Sequence, residues 1–527
     1  MRFDKFSLSL LLAGTVFLSC KEKGDATLEA KPMKPNIIYI LADDLGYADI
    51  GAYGQQKIET PNIDALAKTG MRFTQHYSSA PVCAPARHML LTGLHAGHAF
   101  IRSNYEWGER GDVWDYRAMA KDSTLEGQGP MPDSTTTLAH RLRQVGYVTG
   151  MVGKWGLGAP HTASIPNEMG FDFFYGYNCQ RQAHTYYPLH LYQNRNRVHL
   201  RNDTIAPNLA FPAGEDPMDP ANYADFTLKD YAPDLMFKAL TDFVDTHKKE
   251  PFFMYWASPI PHVALQAPKR WVDHYIAKFG EEEPYLAGSP GGYFPHKNPH
   301  AAYAAMISYL DENIGKLVQQ LKDANIYENT LIVFTSDNGP SYAGGADPEW
   351  FDSARPFDGR YGRAKGFLYE GGIRVPMIAS WPGMIRAGSQ SDLISAQYDI
   401  PATLAELTGY PLPSDNDGIS MLPTLLSSSD QKTHEFLYWE FPSYGGQVAM
   451  RMGDWKLIRR NLMNGEDPTI ELYHLKEDLT EARNVAALHP EILKRAAEIF
   501  DRERNRPEME AFQIPLIDNG LLTEKMD

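Results

Sequence analysis

The sequence predicts an α/β fold: a large, mixed but mostly parallel sheet sandwiched by helices, followed by a smaller carboxyl-terminal α+β domain. Short apolar runs alternate with stretches of helical period through most of the chain, the pattern of strand–helix–strand units. Several of those runs end directly in polar clusters, as buried parallel strands do where they reach a ligand-binding edge. After Pro423 the texture changes to alternating segments, which suits antiparallel strands with one face on a core.

The chain opens with Met1-Arg2-Phe3-Asp4-Lys5, an apolar run from Leu8 to Leu18, then Ser19-Cys20 and polar residues from Lys21 to Ala26. A charged start before a short apolar centre is the pattern of an export signal, and the run is too short to span a bilayer as a permanent helix. Phe17-Leu18-Ser19-Cys20 resembles a loosened bacterial lipobox, which implies cleavage before Cys20 and a lipid on that cysteine; an ordinary cleaved signal is the alternative. Residues 1–20 are thus expected to be the signal and 21–34 a tether, with the protein exported to the periplasm or held at the outer membrane as a lipoprotein.

The main domain, 35–429, has strand candidates at Asn36 to Ala42, Tyr147 to Val152, Pro251 to Ala257, Leu331 to Thr335 and Val375 to Ser380. Met306, Leu310, Ile314, Leu317 and Leu321 recur at spacings of three and four, so Ala301 to Asn325 is a long helix on that sheet, and Asp234 to Lys248 reads similarly. The stretch between Tyr186 and Tyr231 is rich in Asn, Pro and Asp and is expected to be an irregular surface excursion near the substrate entrance. In the last domain, 430–527, Val448 to Arg459 and Ile470 to Leu475 alternate as antiparallel strands do, and Pro490 to Arg502 closes as a helix.

With 527 residues, 43% of them hydrophobic, the chain buries a large core and suits two domains. Its formal net charge of −16 argues against nucleic-acid binding, which relies on clustered Lys and Arg. An anionic substrate must therefore meet a local basic pocket against an unfavourable overall field. Beyond Cys20 only Cys83 and Cys179 remain, so an exported protein of this size has at most one disulfide and draws its stability from the core.

Four polar clusters follow directly on apolar runs. Asp43-Asp44 follows Ile37 to Ala42, Lys154 follows Met151-Val152-Gly153, His262 follows Phe252 to Pro261, and Asp337-Asn338 follows Leu331 to Ser336. Parallel strands share one carboxyl edge, so these clusters converge. Three carboxylates and an amide oxygen suit a hard divalent cation such as calcium, which would hold and polarise an anionic oxygen. Taken alone, Asp43-Asp44 also reads as a turn or helix cap, and Asp337-Asn338-Gly339 as a turn. In Cys83-Ala84-Pro85-Ala86-Arg87, Pro85 suits a first helical turn, which sets Cys83 at a helix start with Arg87 one turn later on the same side. Both features favour negative charge at position 83, while a free thiol or a disulfide with Cys179 is the plain alternative.

Cys83 to Arg87, with Leu91-Thr92-Gly93, resembles the signature of the formylglycine-dependent sulfatases of the alkaline-phosphatase superfamily. Asn36-Ile37-Ile38 through Asp43-Asp44-Leu45-Gly46, Gly153-Lys154-Trp155, Thr335 to Gly339 and Gly366 through Pro376 resemble that family's other blocks in the same order. Gly453 to Ile458 and Glu471-Leu472-Tyr473 resemble its carboxyl-terminal domain, so the likeness runs from about Pro35 nearly to the end.

The resemblance implies that a formylglycine-generating maturation enzyme oxidises Cys83 to formylglycine, whose hydrate attacks sulfur. It implies a calcium ion held by Asp43, Asp44, Asp337, Asn338 and residue 83. Arg87 would hold the hydrate, Lys154 and Lys365 would contact sulfate, and His262 would protonate the departing alcohol. The substrate would be a sulfated carbohydrate. The family commonly carries a histidine two residues after its equivalent of Lys154, as the base that triggers sulfate release, and here that position is Gly156. His161, His184 or another group must serve, and His184 is preferred because Gln180 to Tyr187 is a polar and aromatic cluster suited to a sugar pocket. His98, Arg102, Asn104 and Arg181 are further candidates for substrate contact. Competing readings are a phosphatase or phosphonate-ester hydrolase on the same scaffold, and a non-catalytic glycan-binding lipoprotein in which Cys83 is never oxidised.

Overall fold

The computed structural model describes Met1 and residues 34–204, 209–286, 292–463 and 467–519; the expected signal and Cys20 lie outside the described residues. From Lys34 onward the chain clusters as one compact unit. Its main-domain strands are β1 (Asn36–Asp43), β2 (Met71–Phe73), β3 (His76–Tyr77), β4 (Val148–Lys154), β5 (Phe173–Tyr177), β6 (His190–Gln193) and β7 (Asn196–His199). They continue with β8 (Phe252–Pro261), β9 (Thr330–Ser336), β10 (Met377–Ser380), β11 (Ser389–Ser391) and β12 (Ser395–Ala396).

Ten of these form one sheet in the order β11-β2-β10-β9-β1-β8-β4-β5-β6-β7. The central five, β9 to β5 in that order, are all parallel, while β10 and the β6–β7 hairpin join antiparallel, so the sheet is mixed but mostly parallel. Every residue of β1, β8 and β9 is buried, which is why these strands read as unbroken apolar runs in the sequence.

Side chains alternate across the sheet and split the core in two. Ile38, Ile40, Met254, Trp256, Ile332 and Phe334 face one side, under Met306, Leu310, Ile314, Leu317 and Leu321 of the Pro299–Asp323 helix. Ile37, Tyr39, Leu41, Phe253, Tyr255, Leu331 and Val333 face the other, against the helices Cys83–Thr92, Leu138–Gln144 and Asp399–Thr408. Helices therefore cover both faces. Among the described residues, no helix is long and apolar enough to cross a membrane.

The region from Tyr186 to Tyr231 is more ordered than its composition predicts. It contributes the β6–β7 hairpin to the sheet, and Tyr186, Leu191 and Tyr231 pack into the core. Asn and Pro there mark the turns, and the buried aromatics anchor the segment between them.

The carboxyl-terminal sheet is a meander of β13 (Leu437–Phe441), β14 (Gln447–Met452), β15 (Trp455–Arg460) and β16 (Thr469–His474), followed by the Pro490–Glu503 helix. The predicted segment Val448 to Arg459 is thus two strands, which turn at Gly453 with φ +60°. Tyr438, Val448, Met450, Ala496 and Ile499 pack on Ala86 and Met89 of the Cys83–Thr92 helix. That helix is buried from Cys83 to Leu91, clamped between the two sheets.

At the carboxyl edge of the parallel strands the backbones approach closely. A Cβ at Gly153, where φ is +119°, would lie 1.9 Å from the carbonyl oxygen of Ala257 on β8. Only glycine fits there, one residue before Lys154. Gly153→Ala should therefore cost at least about 2 kcal/mol of unfolding free energy in urea. A change within about 0.5 kcal/mol, the level of a neutral surface substitution, would contradict this packing.

Candidate active site

The register of β1 explains how distant residues meet. A slip between Leu41 and Asp43 sets Asp43 level with Pro261, the residue before His262, and Ala42 pairs with Ser336, the residue before Asp337. Lys154 ends β4 on the far side of β8. Asp44 follows with φ 68°, a left-handed turn that aspartate tolerates, and its amide donates to Asp337 Oδ1 at 3.1 Å.

The cluster is built of buried charges, apart from Lys365, whose side chain is 18% exposed. Lys154 Nζ donates to Asp43 Oδ2 at 2.6 Å, and Lys365 Nζ donates to Asp44 Oδ2 at 2.7 Å. Arg87 donates to Asp337 Oδ2 from Nε at 3.1 Å and Nη2 at 2.8 Å, and to the Lys154 carbonyl from Nη1 at 2.6 Å. Its Nη2 also lies 3.3 Å from Asp43 Oδ2. Three carboxylates thus face three permanent cations, and their formal charges cancel.

Cys83 begins its helix inside this cluster, with Sγ donating to Asp43 Oδ1 at 3.1 Å and lying 3.8 Å from Lys365 Nζ. Burial, and then the Asp43 charge, push its thiol well above the ordinary value. Burial would also raise Asp43, but Lys154 and Arg87 hold it well below the usual carboxylate range; burial and Asp43 together push Asp337 up to about 7. Cys83 and Cys179 are both free thiols, so no disulfide joins them.

The cluster offers a metal ion two carboxylates, a thiol and an imidazole. Ligand atoms of Asp43, Asp44, Cys83 and His262 lie within 4.8 Å of one another, and Asn338 Oδ1 is a buried oxygen with no hydrogen-bond partner while its Nδ2 donates to Asp44 Oδ1 at 2.8 Å. His262 joins that grouping, while Asp337 Oδ2 accepts from Arg87 and its Oδ1 from the Asp44 amide.

His262 Nδ1 donates to the Val263 carbonyl at 2.5 Å, which leaves Nε2 facing Asp44 Oδ2 at 3.8 Å. His184 stacks on it with ring centres 5.1 Å apart and planes 13° apart. Burial pushes both histidines well below their ordinary value, reinforced by Lys365 and Lys154 at His262 and by His262 at His184. His161, the other histidine considered for the position vacated at Gly156, is exposed and pairs instead with Ser123 Oγ at 2.7 Å. Gln180 fills the space beside Gly156, its Oε1 3.1 Å from where a Cβ would stand.

Four further candidates are placed differently. Asn104 accepts from the Ala84 amide at 3.3 Å, beside Cys83. His98 pairs with Asp417 at 2.9 Å. Arg102 is enclosed by Glu440, Gly97 O and Asn505 O, and Arg181 by Glu106, Leu125 O and Gly127 O, so both guanidiniums brace buried backbone. Sequence reasoning missed Tyr293, whose ring lies 5.3 Å from His184 and 6.0 Å from His262; a lone tyrosine in a Gly-rich loop carries no periodicity to mark it.

The family profile described as "Sulfatase" matches residues 35–410, and one described as "N-sulphoglucosamine sulphohydrolase, C-terminal" matches residues 359–503. An N-acetylgalactosamine-6-O-sulfatase of Bacteroides thetaiotaomicron is 29% identical over 94% of this chain and 98% of its own length. The human N-acetylgalactosamine-6-sulfatase is 33% identical over 75% of this chain and 66% of its own. Among solved structures, Ps i-CgsB in complex with k-i-k-neocarrahexaose superposes with a TM-score of 0.69 at 27% identity, covering 93% of this chain and 97% of that one.

Arg87 is the cation that both Asp43 and Asp337 share. Arg87→Ala should strand buried charge and lower stability by about 3–5 kcal/mol in urea unfolding. A loss below about 1 kcal/mol would mean that the carboxylates do not depend on it.

Proposed function

Because the chain belongs to the sulfatase family and is a sulfuric-ester hydrolase, we propose that it removes sulfate from a sulfated glycan with a formylglycine made from Cys83 and a calcium ion. The observation that carries this reading is the position of Cys83, at a helix start within hydrogen-bonding reach of Asp43 and beside Lys365. As a thiol it is held protonated there, and a protonated thiol is a poor nucleophile. A formylglycine hydrate at that position supplies two hydroxyls, one to accept sulfate and one whose proton loss expels it, so no water attacks the crowded ester.

Asp43, Asp44, Asp337, Asn338 and residue 83 would hold calcium, which when bound neutralises and polarises sulfate oxygens. Lys154 and Lys365 contact the sulfate, and Arg87 fixes residue 83 from one helical turn away. His262 delivers a proton to the departing sugar oxygen from Nε2. Burial, Lys365 and Lys154 lower its proton affinity in the free protein, and the negative charge of a bound sulfate acts in the opposite sense. Gly156 offers no base for sulfate release, and we assign that role to His184, a neutral imidazole stacked on His262. Asn104 remains a candidate substrate contact beside Cys83. Residues 35–429 make the catalytic domain and 430–527 the carboxyl-terminal subdomain. Residues 1–20 are the export signal, with a lipid on Cys20 anchoring the enzyme in the periplasm or at the outer membrane.

The relatives' printed names make 6-sulfated N-acetylgalactosamine the first substrate to try. Two measurements test the reading. The tryptic peptide containing Cys83 should weigh about 18 Da less than its thiol form, since the sulfur leaves the side chain; thiol alone in native, active protein would exclude formylglycine. His262→Ala should cut kcat on the sulfated sugar by about 10²–10⁴-fold, and far less on an aryl sulfate whose leaving group needs no proton. Equal losses on both would remove His262 from the acid role.

A further inference from the structure

Exposed apolar side chains are common singly, but an exposed aromatic ring joined by contacts to a buried charged cluster offers that cluster a flat apolar face. Trp114 is 51% exposed, Tyr361 76% and Tyr444 62%. All three connect to the cluster at the sheet edge by short chains of contact. The Trp114 ring lies 6.0 Å from His184, which stacks on His262, which faces Asp44. The Tyr444 ring lies against Gly366, where a Cβ would meet its ring carbons at 3.3 Å, and Gly366 follows Lys365, whose Nζ holds Asp44. Tyr361 reaches Tyr444 through Phe367, at ring separations of 6.4 and 5.7 Å.

Trp114 and Tyr444 are held rather than loose. The buried Arg181 guanidinium lies 5.7 Å from the centre of the Trp114 ring, within cation–π range, and is itself fixed by Glu106, Leu125 O and Gly127 O. Tyr444 stacks on Phe441 of β13 with planes 27° apart. A rigid, half-exposed ring loses little entropy when a flat apolar face settles on it, which is how aromatic anchors serve binding surfaces. A pyranose ring offers such a face through its axial C–H bonds, with hydroxyls at its rim.

We propose that Trp114 and the Tyr361–Tyr444 pair are stacking platforms for sugars adjoining the sulfated one, so that the substrate is an oligosaccharide gripped beyond its reacting residue. This rests on the glycan reading above. It gives Arg181 a positioning role, under Trp114, in place of the direct substrate contact that its charge suggested. The occupant adjoins the reaction site, since Trp114 meets His184, the ring stacked on His262, and Tyr444 meets Gly366, the residue after Lys365.

The test compares kcat/KM on one sulfated sugar as a monosaccharide and within a tetrasaccharide, for the intact protein, Trp114→Ala, and Tyr361→Ala/Tyr444→Ala. The native protein should favour the tetrasaccharide. Each variant should lose about 10- to 100-fold on it, with little change on the monosaccharide or an aryl sulfate. Arg181→Met should lose part of the tetrasaccharide preference, while a folded, aryl-sulfate-active variant that keeps all of it would remove the supporting role. Equal losses on all substrates, or none on the tetrasaccharide, would overturn the platforms. Hydrolysis of aryl sulfate but of no sulfated sugar of either length would instead overturn the glycan reading itself.

Discussion

Asp43, Asp44 and Asp337 stand out of water beside Arg87, Lys154 and Lys365, and six charges at one sheet edge are tolerable only while each keeps a partner. That requirement shapes the surrounding fold. The slip in β1 delivers Asp43 opposite Pro261, the left-handed turn at Asp44 reaches across to Asp337, and the Gly-rich segment after Ala364 brings Lys365 in from outside the sheet. The chain as a whole carries a formal net charge of −16, whereas at this edge three cations offset the three carboxylates.

Rigidity at this edge comes from packing on two sides. Ala84, Leu90 and Leu91 of the Cys83–Thr92 helix face the large sheet, while Ala86 and Met89 face the carboxyl-terminal meander. The second sheet thus fixes the helix from behind, through Tyr438, Val448 and Met450. Trp439 Nε1 donates to the Ser78 carbonyl at 2.8 Å, tying β13 to the segment that enters the helix. A reacting group displaced by an ångström loses much of its advantage, so a support built from both ends of the chain has a chemical purpose.

The central strands and their polar tips were legible in the sequence because buried parallel strands are continuous apolar runs, and the residue after each run falls at the shared edge. Asp43, Lys154, His262 and Asp337 were all found on that ground. The short strands Met71–Phe73 and Phe173–Tyr177 were not, since they are too brief to show a period and depend on neighbours for their conformation. Arg102 and Arg181 misled for a related reason: charge in a sequence says nothing of whether it faces solvent or caps buried carbonyls. The pairing of His184 with His262 crosses a long stretch of chain and left no local mark beyond the polar and aromatic character around His184.

Cys83 is only 2% exposed in the folded chain. On the chemistry proposed for it, an oxidising enzyme needs the side chain and several flanking residues laid open, which the clamped helix does not allow. Modification must then come before this segment closes, while the meander that completes the clamp, hundreds of residues later in the chain, is still being made or moved. Order of events during biosynthesis, rather than affinity for the finished protein, would decide what fraction of molecules ever becomes competent.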